Sequence, residues 1–585
     1  MKDFVKMMLA VICGILVFGI ISAILSLMFF GAIIAAGSSQ PQLPKSGVLK
    51  LDLGHLAIAE QASSGDAMSA ISSIAGNGST ETIGLLDAVR AIEAAGQDPS
   101  IKYIYLLTDG YASDLTSAEE LRKALKKFRL TSGKPVISYM ESPTTGSYYL
   151  ASVADKIYMT ANPGATTQVV GVSSQMIFFG DLLKKLGVDV QLIRHGKYKS
   201  AGEQFTRGES SPENREQYQR MVDSIWETLR AEIAESRGVT GEHIDDIIDN
   251  LKLCVSEDFL AEGFVDELLT RTQLEDKLAA LAVVDKFKDV KMVGLKTYAD
   301  AKLTASKSKK KIAVIYANGN IVDGSAKTDV AGDRFASLIS KVRADSTVKA
   351  VVLRVNSPGG SVLASDKIKT ELDLLRAEKP LVASYGAYAA SGGYWISNNA
   401  GKIFTDATTL TGSIGVFSMI PNLGGTAKDI AHIGLETISS NKHSGIFNMT
   451  HHFDEEEYNY LFRSVEDIYD RFTTIVAEGR GMTTDAVDAI GQGRVWTGAD
   501  AIGIGLVDEI GTLEDALAYA AVAAGDSDLA SWNVTAYPRP QNEFEQLLDI
   551  FGKGSQDPES RIRAMISDLE TPRVIARLPY DIAVR

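Results

Sequence analysis

A chain of 585 residues holds more than one domain at an ordinary size of about 150 residues each, and its 45% hydrophobic and 23% charged content is that of a globular protein. A formal net charge of −15 with no large basic patch argues against nucleic acid as a partner. Two distant cysteines, Cys13 and Cys254, permit neither a disulfide framework nor a cysteine metal site, and the seven histidines include no His-Glu-x-x-His pair.

The N-terminus reads as a membrane anchor. Residues 5–36 are almost wholly apolar and carry no charge after Lys6. That run exceeds the ~20 residues needed to cross a bilayer and the roughly 7–15 of a cleavable signal core. Lys2 and Lys6 precede it and the next lysine is Lys45, so the positive-inside bias puts the N-terminus in the cytoplasm and the rest outside. The alternative is a long signal peptide cut near Ala36. A linker, 38–47, follows.

The body then repeats itself. Strands are expected at 48–53 and 311–316, and again at 101–107 and 348–354. Each second strand leads to an amphipathic helix. Leu121, Leu125 and Phe128 share one face behind a Ser117-x-x-Glu120 capping box, and Ile368, Leu372 and Leu375 do the same in the other copy. Third strands follow Gly133-Lys-Pro and Glu378-Lys-Pro, and fourth strands include 155–159 and 401–405. Long helices then end in Ala234-Glu-Ser-Arg-Gly238 and Ala477-Glu-Gly-Arg-Gly481, followed by Gly263-Phe-Val-Asp-Glu267 and Gly505-Leu-Val-Asp-Glu509. Alternation at this spacing predicts parallel β-α-β units twice over. The expected division is an anchor at 5–36, a first module at 45–304, a second at 311–525 and a loosely held tail at 526–585. The small and polar run 63–80 reads as a mobile loop.

Chemistry emerges where the copies differ. Ser391 stands in Tyr388-Ala-Ala-Ser-Gly-Gly-Tyr-Trp395, between an apolar run of strand length and a potential helix start. There a hydroxyl meets unpaired backbone N–H groups, which suits a nucleophile. Close packing of helix on strand would explain the Gly-Gly pair equally well. An offset of 246 residues, taken from Lys156 and Lys402, sets Ser391 opposite Thr145. The glycine-rich loop 356–361 can donate an N–H to an oxyanion, and its counterpart 109–113 lacks the Ser-Pro-Gly-Gly core. Conversely, aligning 190–201 with 436–445 pairs Lys199 with Ser444. One copy keeps a serine and the other a lysine. A buried, neutral lysine can serve as general base. Ser413, in Thr411-Gly-Ser-Ile-Gly415, could orient it or simply sit in a turn. His443 is the nearest histidine for a Ser-His alternative.

Together Tyr388–Trp395, Asn356–Val362, Leu410–Gly415 and Gly196–Ala201 resemble the signal peptide peptidase A (protease IV) family of long, duplicated bacterial serine proteases, over roughly 45–525. The resemblance implies an α/β fold of tandem Clp protease/crotonase-like (ββα) domains. It implies Ser391 as nucleophile, Lys199 as base, Ser413 as the serine bonded to that lysine, and Gly359 and Gly392 at the oxyanion hole. It further implies a homotetramer at the bacterial inner membrane with its domains on the periplasmic side, signal-peptide remnants as substrates, small apolar side chains preferred beside the cut, and no metal or cofactor. The competing readings are a crotonase-type acyl-CoA enzyme and a non-catalytic scaffold for hydrophobic peptides.

Overall fold

The computed structural model describes residues 43–62, 81–304, 306–327, 329–540 and 574–577, together with Ile21. The expected anchor at 5–36, Ile21 aside, and the expected loop at 63–80 lie outside the described residues. Among the described residues no helix is long and apolar enough to cross a membrane.

The first half supplies β1 (Gly47–Asp52), β2 (Ile101–Leu107), β3 (Val136–Met140), β4 (Lys156–Thr160), β5 (Asp189–His195), β6 (Glu267–Leu269) and β7 (Met292–Gly294). All but β5 form one parallel sheet in the order β6-β4-β3-β2-β1-β7. The second half supplies β8 (Lys311–Asn318), β9 (Val348–Ser357), β10 (Gly359–Ser361), β11 (Leu381–Ala390), β12 (Lys402–Thr405), β13 (Leu410–Gly412), β14 (Val416–Asn422), β15 (Val495–Thr497), β16 (Glu509–Ile510) and β17 (Asn533–Tyr537). Its sheet runs β16-β12-β11-β9-β8-β17, the same order strand for strand. β11 is long enough to fork, pairing β12 near its start and β13 at its end. The strands are apolar almost throughout because helices cover both faces of such sheets.

The sheet order corrects the expected tail. β17 lies parallel to β8 as β7 lies parallel to β1, so residues up to Tyr537 belong to the second repeat. The physical reason is the open edge of β8, whose backbone groups need a partner. Trp532, just before β17, is buried and donates its indole N–H to the Asp526 carbonyl.

The repeated C-terminal pattern of the long helices proves to be a brace. Helices Pro212–Arg237 and Glu455–Arg480 both stop at left-handed glycines, Gly238 and Gly481. The preceding arginines donate to the carbonyls of Gly263 and Gly505. Asp266 and Asp508 then accept the N–H groups of Ile157 and Ile403, tying each helix to the fourth strand.

Helix Leu115–Ser132 is capped by Asp114, not by Ser117 as expected. The Asp114 carboxylate takes the Ser117 N–H at 2.8 Å and is the better acceptor one turn earlier. Leu121, Leu125 and Phe128 are buried, each contributing about 1.5–3 kcal/mol. Glu120 serves another purpose. It meets the Arg354 guanidinium of β9 at 2.8 Å, and Glu60 takes the same group through two bonds of 2.8 and 2.9 Å. Arg354 also donates to Ser384 Oγ and the Tyr385 carbonyl of β11. Beside this cluster Lys123 reaches Asp406, and Glu119 accepts from Thr408. Burial, with Asp406 nearby, pushes the Glu119 carboxyl up to about 7. Charges of the two halves thus meet in the interior.

A second seam joins the halves. β5 of the first half pairs antiparallel with β14 of the second over seven residues, from His195 opposite Val416 to Asp189 opposite Asn422. The second-half segment aligned with it by sequence, 436–445, forms no strand.

Replacing Arg354 by Met leaves Glu60 and Glu120 buried without their cation. The expected result is a loss of about 3–5 kcal/mol of stability, read as a lower denaturant midpoint.

Candidate active site

Ser391 directly follows β11 and is the N-cap of the short helix Gly392–Ser397. Its backbone sits at φ 56° and ψ −113°, a conformation costing a non-glycine residue about 1–3 kcal/mol. Two bonds hold it there: its N–H donates to the Gly412 carbonyl, and its carbonyl accepts from Trp395 N–H, both at 2.8 Å. The Gly-Gly pair serves packing as well as chemistry. A Cβ on Gly393 would lie 2.6 Å from the Ser357 carbonyl oxygen, and one on Gly392 would lie 3.2 Å from the Gly359 Cα. The helix is therefore pressed onto the glycine-rich loop 356–361, with Ser391 fully buried beside it. Gly359 N–H is engaged within its own loop, donating to Ser357 Oγ at 3.2 Å.

The first half holds Thr144, not Thr145, at the N-cap that corresponds to Ser391. Tyr148 N–H bonds the Thr144 carbonyl as Trp395 N–H bonds that of Ser391. A one-residue difference between the N-cap and the fourth strand shifts the alignment. The geometry differs too. Thr144 has relaxed dihedrals and spends its hydroxyl on the Ser147 N–H, whereas Ser391 makes no side-chain cap bond.

The Ser391 hydroxyl goes instead to Lys199. Lys199 Nζ lies 2.9 Å from Ser391 Oγ, 2.9 Å from Ser413 Oγ and 3.1 Å from the Ser413 carbonyl oxygen. All three residues belong to one chain and are essentially inaccessible. Burial brings the Lys199 amine down from 10.5 to about 7. Ser413 is itself fixed, its N–H donating to the Arg494 carbonyl at 2.7 Å.

Lys199 arrives on the loop that follows β5. Arg194 donates to the Lys199 carbonyl and pairs with the buried Glu203. Gln217 donates to the Tyr198 carbonyl and to Ser200 Oγ. Tyr198 N–H bonds the Gln492 carbonyl of the second half, and Gly493 N–H bonds that of Ile414. Gly493 is the residue that sequence reasoning missed. It sits at φ 80°, and a Cβ there would lie 2.5–2.6 Å from Lys199 Cβ, Cα and N. Its signal lay in Gly491-Gln-Gly493, a pair of glycines before a strand.

The structure brings Ser391, Lys199, Ser413 and Gly392 together and places the Gly359 loop against them. Ser444 lies in the exposed segment far along the chain, bonded to Asn441 N–H. His443 pairs with Glu457.

The sequence matches the model of "Peptidase family S49" twice, over residues 128–285 and 373–526. The chain belongs to peptidase family S49. Lys199 falls in the first S49 match, and Ser391 and Ser413 fall in the second. The chain is 35% identical to Protease 4 of Haemophilus influenzae over 472 residues, covering 77% of this chain and 74% of the relative. It is 37% identical to Protease 4 of Salmonella typhi over 481 residues, covering 80% and 75%. It is 30% identical to the chloroplastic serine protease SPPA of Arabidopsis thaliana over 496 residues, covering 83% and 72%. It is accordingly a serine-type peptidase of signal peptide peptidase A type, a mixed α/β protein with a duplicated S49 domain.

Two outcomes follow for this S49 peptidase. Gly493→Ala must move the Lys199 backbone, and it is expected to lower kcat at least ~10-fold, since misplacement by an ångström costs still more. Lys199 is neutral in the folded chain and charged in the unfolded one between pH 7 and 10.5, so stability rises with pH across that window. Lys199→Met removes this cost, at most ~5 kcal/mol at pH 7. After loss of the two serine contacts, a net stabilisation of about 1–3 kcal/mol is expected in denaturant titrations at pH 7.

Proposed function

We propose that this serine protease cuts peptides with Ser391 as nucleophile and Lys199 as general base. The observation that carries the reading is a buried amine 2.9 Å from a buried hydroxyl. Neutral Lys199 takes the proton of Ser391 Oγ as that oxygen bonds the substrate carbonyl carbon. The developing oxyanion is met by backbone N–H groups at Gly392 and the Gly359 loop. Lys199 returns the proton to the departing amine as the C–N bond breaks. A water, deprotonated by the same lysine, then releases the acyl group and restores the serine. Ser413 keeps the amine on the hydroxyl.

The finer reading of the whole molecule is a pair of Clp protease/crotonase-like (ββα) domains, 45–304 and, with the edge strand that the sheet adds, 311–537, behind an anchor at 5–36. Its composition supports such an anchor, with the domains on the periplasmic side of a bacterial inner membrane. The substrates proposed are signal-peptide remnants left in that membrane, cut beside small apolar side chains by a homotetramer. Membership of a serine peptidase family removes the support for the acyl-CoA enzyme and for the non-catalytic scaffold.

Hydrolysis of a fluorogenic apolar peptide tests this reading. Ser391→Ala and Lys199→Ala should each lower kcat/KM by about 10³-fold or more. The parent rate should rise with pH through an inflection near 7, where the amine loses its proton. Unchanged rates in both variants would exclude the pair.

A further inference from the structure

The loop that carries Lys199 is gripped at both ends, and one side chain of the second half reaches both grips. Tyr469 stands on the helix Glu455–Arg480 and is 3% exposed. Its ring stacks on His195, the last residue of β5, with centroids 3.9 Å apart and planes 20° from parallel. Its hydroxyl accepts the Gln492 N–H at 3.1 Å and donates to Asp488 Oδ1 at 2.5 Å. Burial and that carboxylate hold the phenol well above its usual range, so it keeps the proton it donates.

Gln492 is a demanding residue to hold. Its φ is 54°, in the left-handed region that costs a residue with a Cβ. Its carbonyl accepts the Tyr198 N–H at 2.9 Å. Its side-chain amide donates to Asp488, on the helix Thr484–Ile490, so one carboxylate anchors both the phenol and the turn. Close approach leaves little slack. A Cβ on Gly196 would lie 2.5 Å from the Gln492 carbonyl oxygen, and one on Gly491 would lie 3.1 Å from the Tyr469 hydroxyl oxygen. Tyr198 adjoins Lys199 as Gln492 adjoins Gly493, so a shift of this turn is a shift of the lysine backbone.

We propose that Tyr469 is a positioning residue for Lys199, its ring bearing the strand that leads into the lysine loop and its hydroxyl fixing the turn that receives it. This rests on the serine–lysine reading above. The effect is chemical as well as mechanical. Lys199 is neutral near pH 7 because it is enclosed, and a looser turn admits water and lets the amine climb back towards 10.5.

The test uses the full-length chain. Tyr469→Phe keeps the stack and deletes the hydroxyl. It should lower kcat on the fluorogenic peptide about ten-fold with KM unchanged, and move the inflection of the pH–rate profile upward from near 7. Asp488→Ala should do the same, whereas Asp488→Asn, which still accepts from the phenol, should restore most of the parent rate. The titratable groups facing Tyr469 are His195 from β5, Asp488, and Asp470 of its own helix. His195→Phe keeps the stack without a proton and should leave the inflection where it is. In a Ser391→Ala background, where nothing turns over, the Tyr198 amide should exchange faster with solvent once Tyr469→Phe is added. A parent-like inflection and parent-like Tyr198 exchange in Tyr469→Phe would overturn the proposal, as would an inflection lost in His195→Phe. Protection lost evenly along the chain with the inflection unmoved would make Tyr469 a packing residue and overturn it too. Unchanged hydrolysis in Ser391→Ala would sink the serine–lysine reading alone, because amide exchange still reports whether Tyr469 holds the loop.

Discussion

The structure depends on taking one amine out of water. A lysine in solvent is charged at neutral pH and useless as a base. Enclosure removes the proton by making the ammonium costly. Here burial lowers Lys199, and the amine's hydrogen-bond partners among the described residues are two hydroxyls and a carbonyl. A carboxylate at hydrogen-bonding distance would undo the arrangement by stabilising the charged form. Buried acidic groups are paired with other cations, Glu60 and Glu120 with Arg354, Asp406 with Lys123 and Glu203 with Arg194.

Enclosure of that kind takes surfaces from both repeats. The lysine comes from the first, on a loop fastened by Arg194 and Gln217. The walls come from the second, in Gly415, Gly493 and Ser413. The β5–β14 ladder carries the loop across, and the Arg354–Glu60–Glu120 cluster fixes the strands that lead to the serine and its glycine loop. Strain at Ser391 fits the same scheme. The dihedrals that a cap residue would relax are held open, and the hydroxyl that would cap the helix faces the amine instead.

Much of this was legible in the residues. The duplication shows in matched motifs, and the sheets repeat strand for strand. The serine and the lysine stood out because each copy lacks what the other keeps. What escaped did so for physical reasons. A one-residue difference between helix cap and strand is invisible to a fixed offset, so Thr145 stood where Thr144 belongs. Glu120 fitted a capping pattern, but a buried guanidinium from another module outweighs a local cap, and only the fold reveals that partner. The tail lacks the motifs of its counterpart because β7 and β17 are sheet edges, where backbone pairing matters more than side-chain identity. Gly493 could be read as any turn glycine until the lysine backbone was seen against it.

The seam between β5 and β14 has a bearing on how the protein behaves in dilute solution. Each repeat alone holds half of the proposed pair, so separate copies would have to find one another before that pair could form. Joined in one polypeptide, the two partners face each other at the effective molarity of a tethered encounter, in the millimolar range for short connections. Assembly of the proposed serine–lysine pair is then a property of every single molecule. It does not vary with abundance, whatever larger association the protein enters.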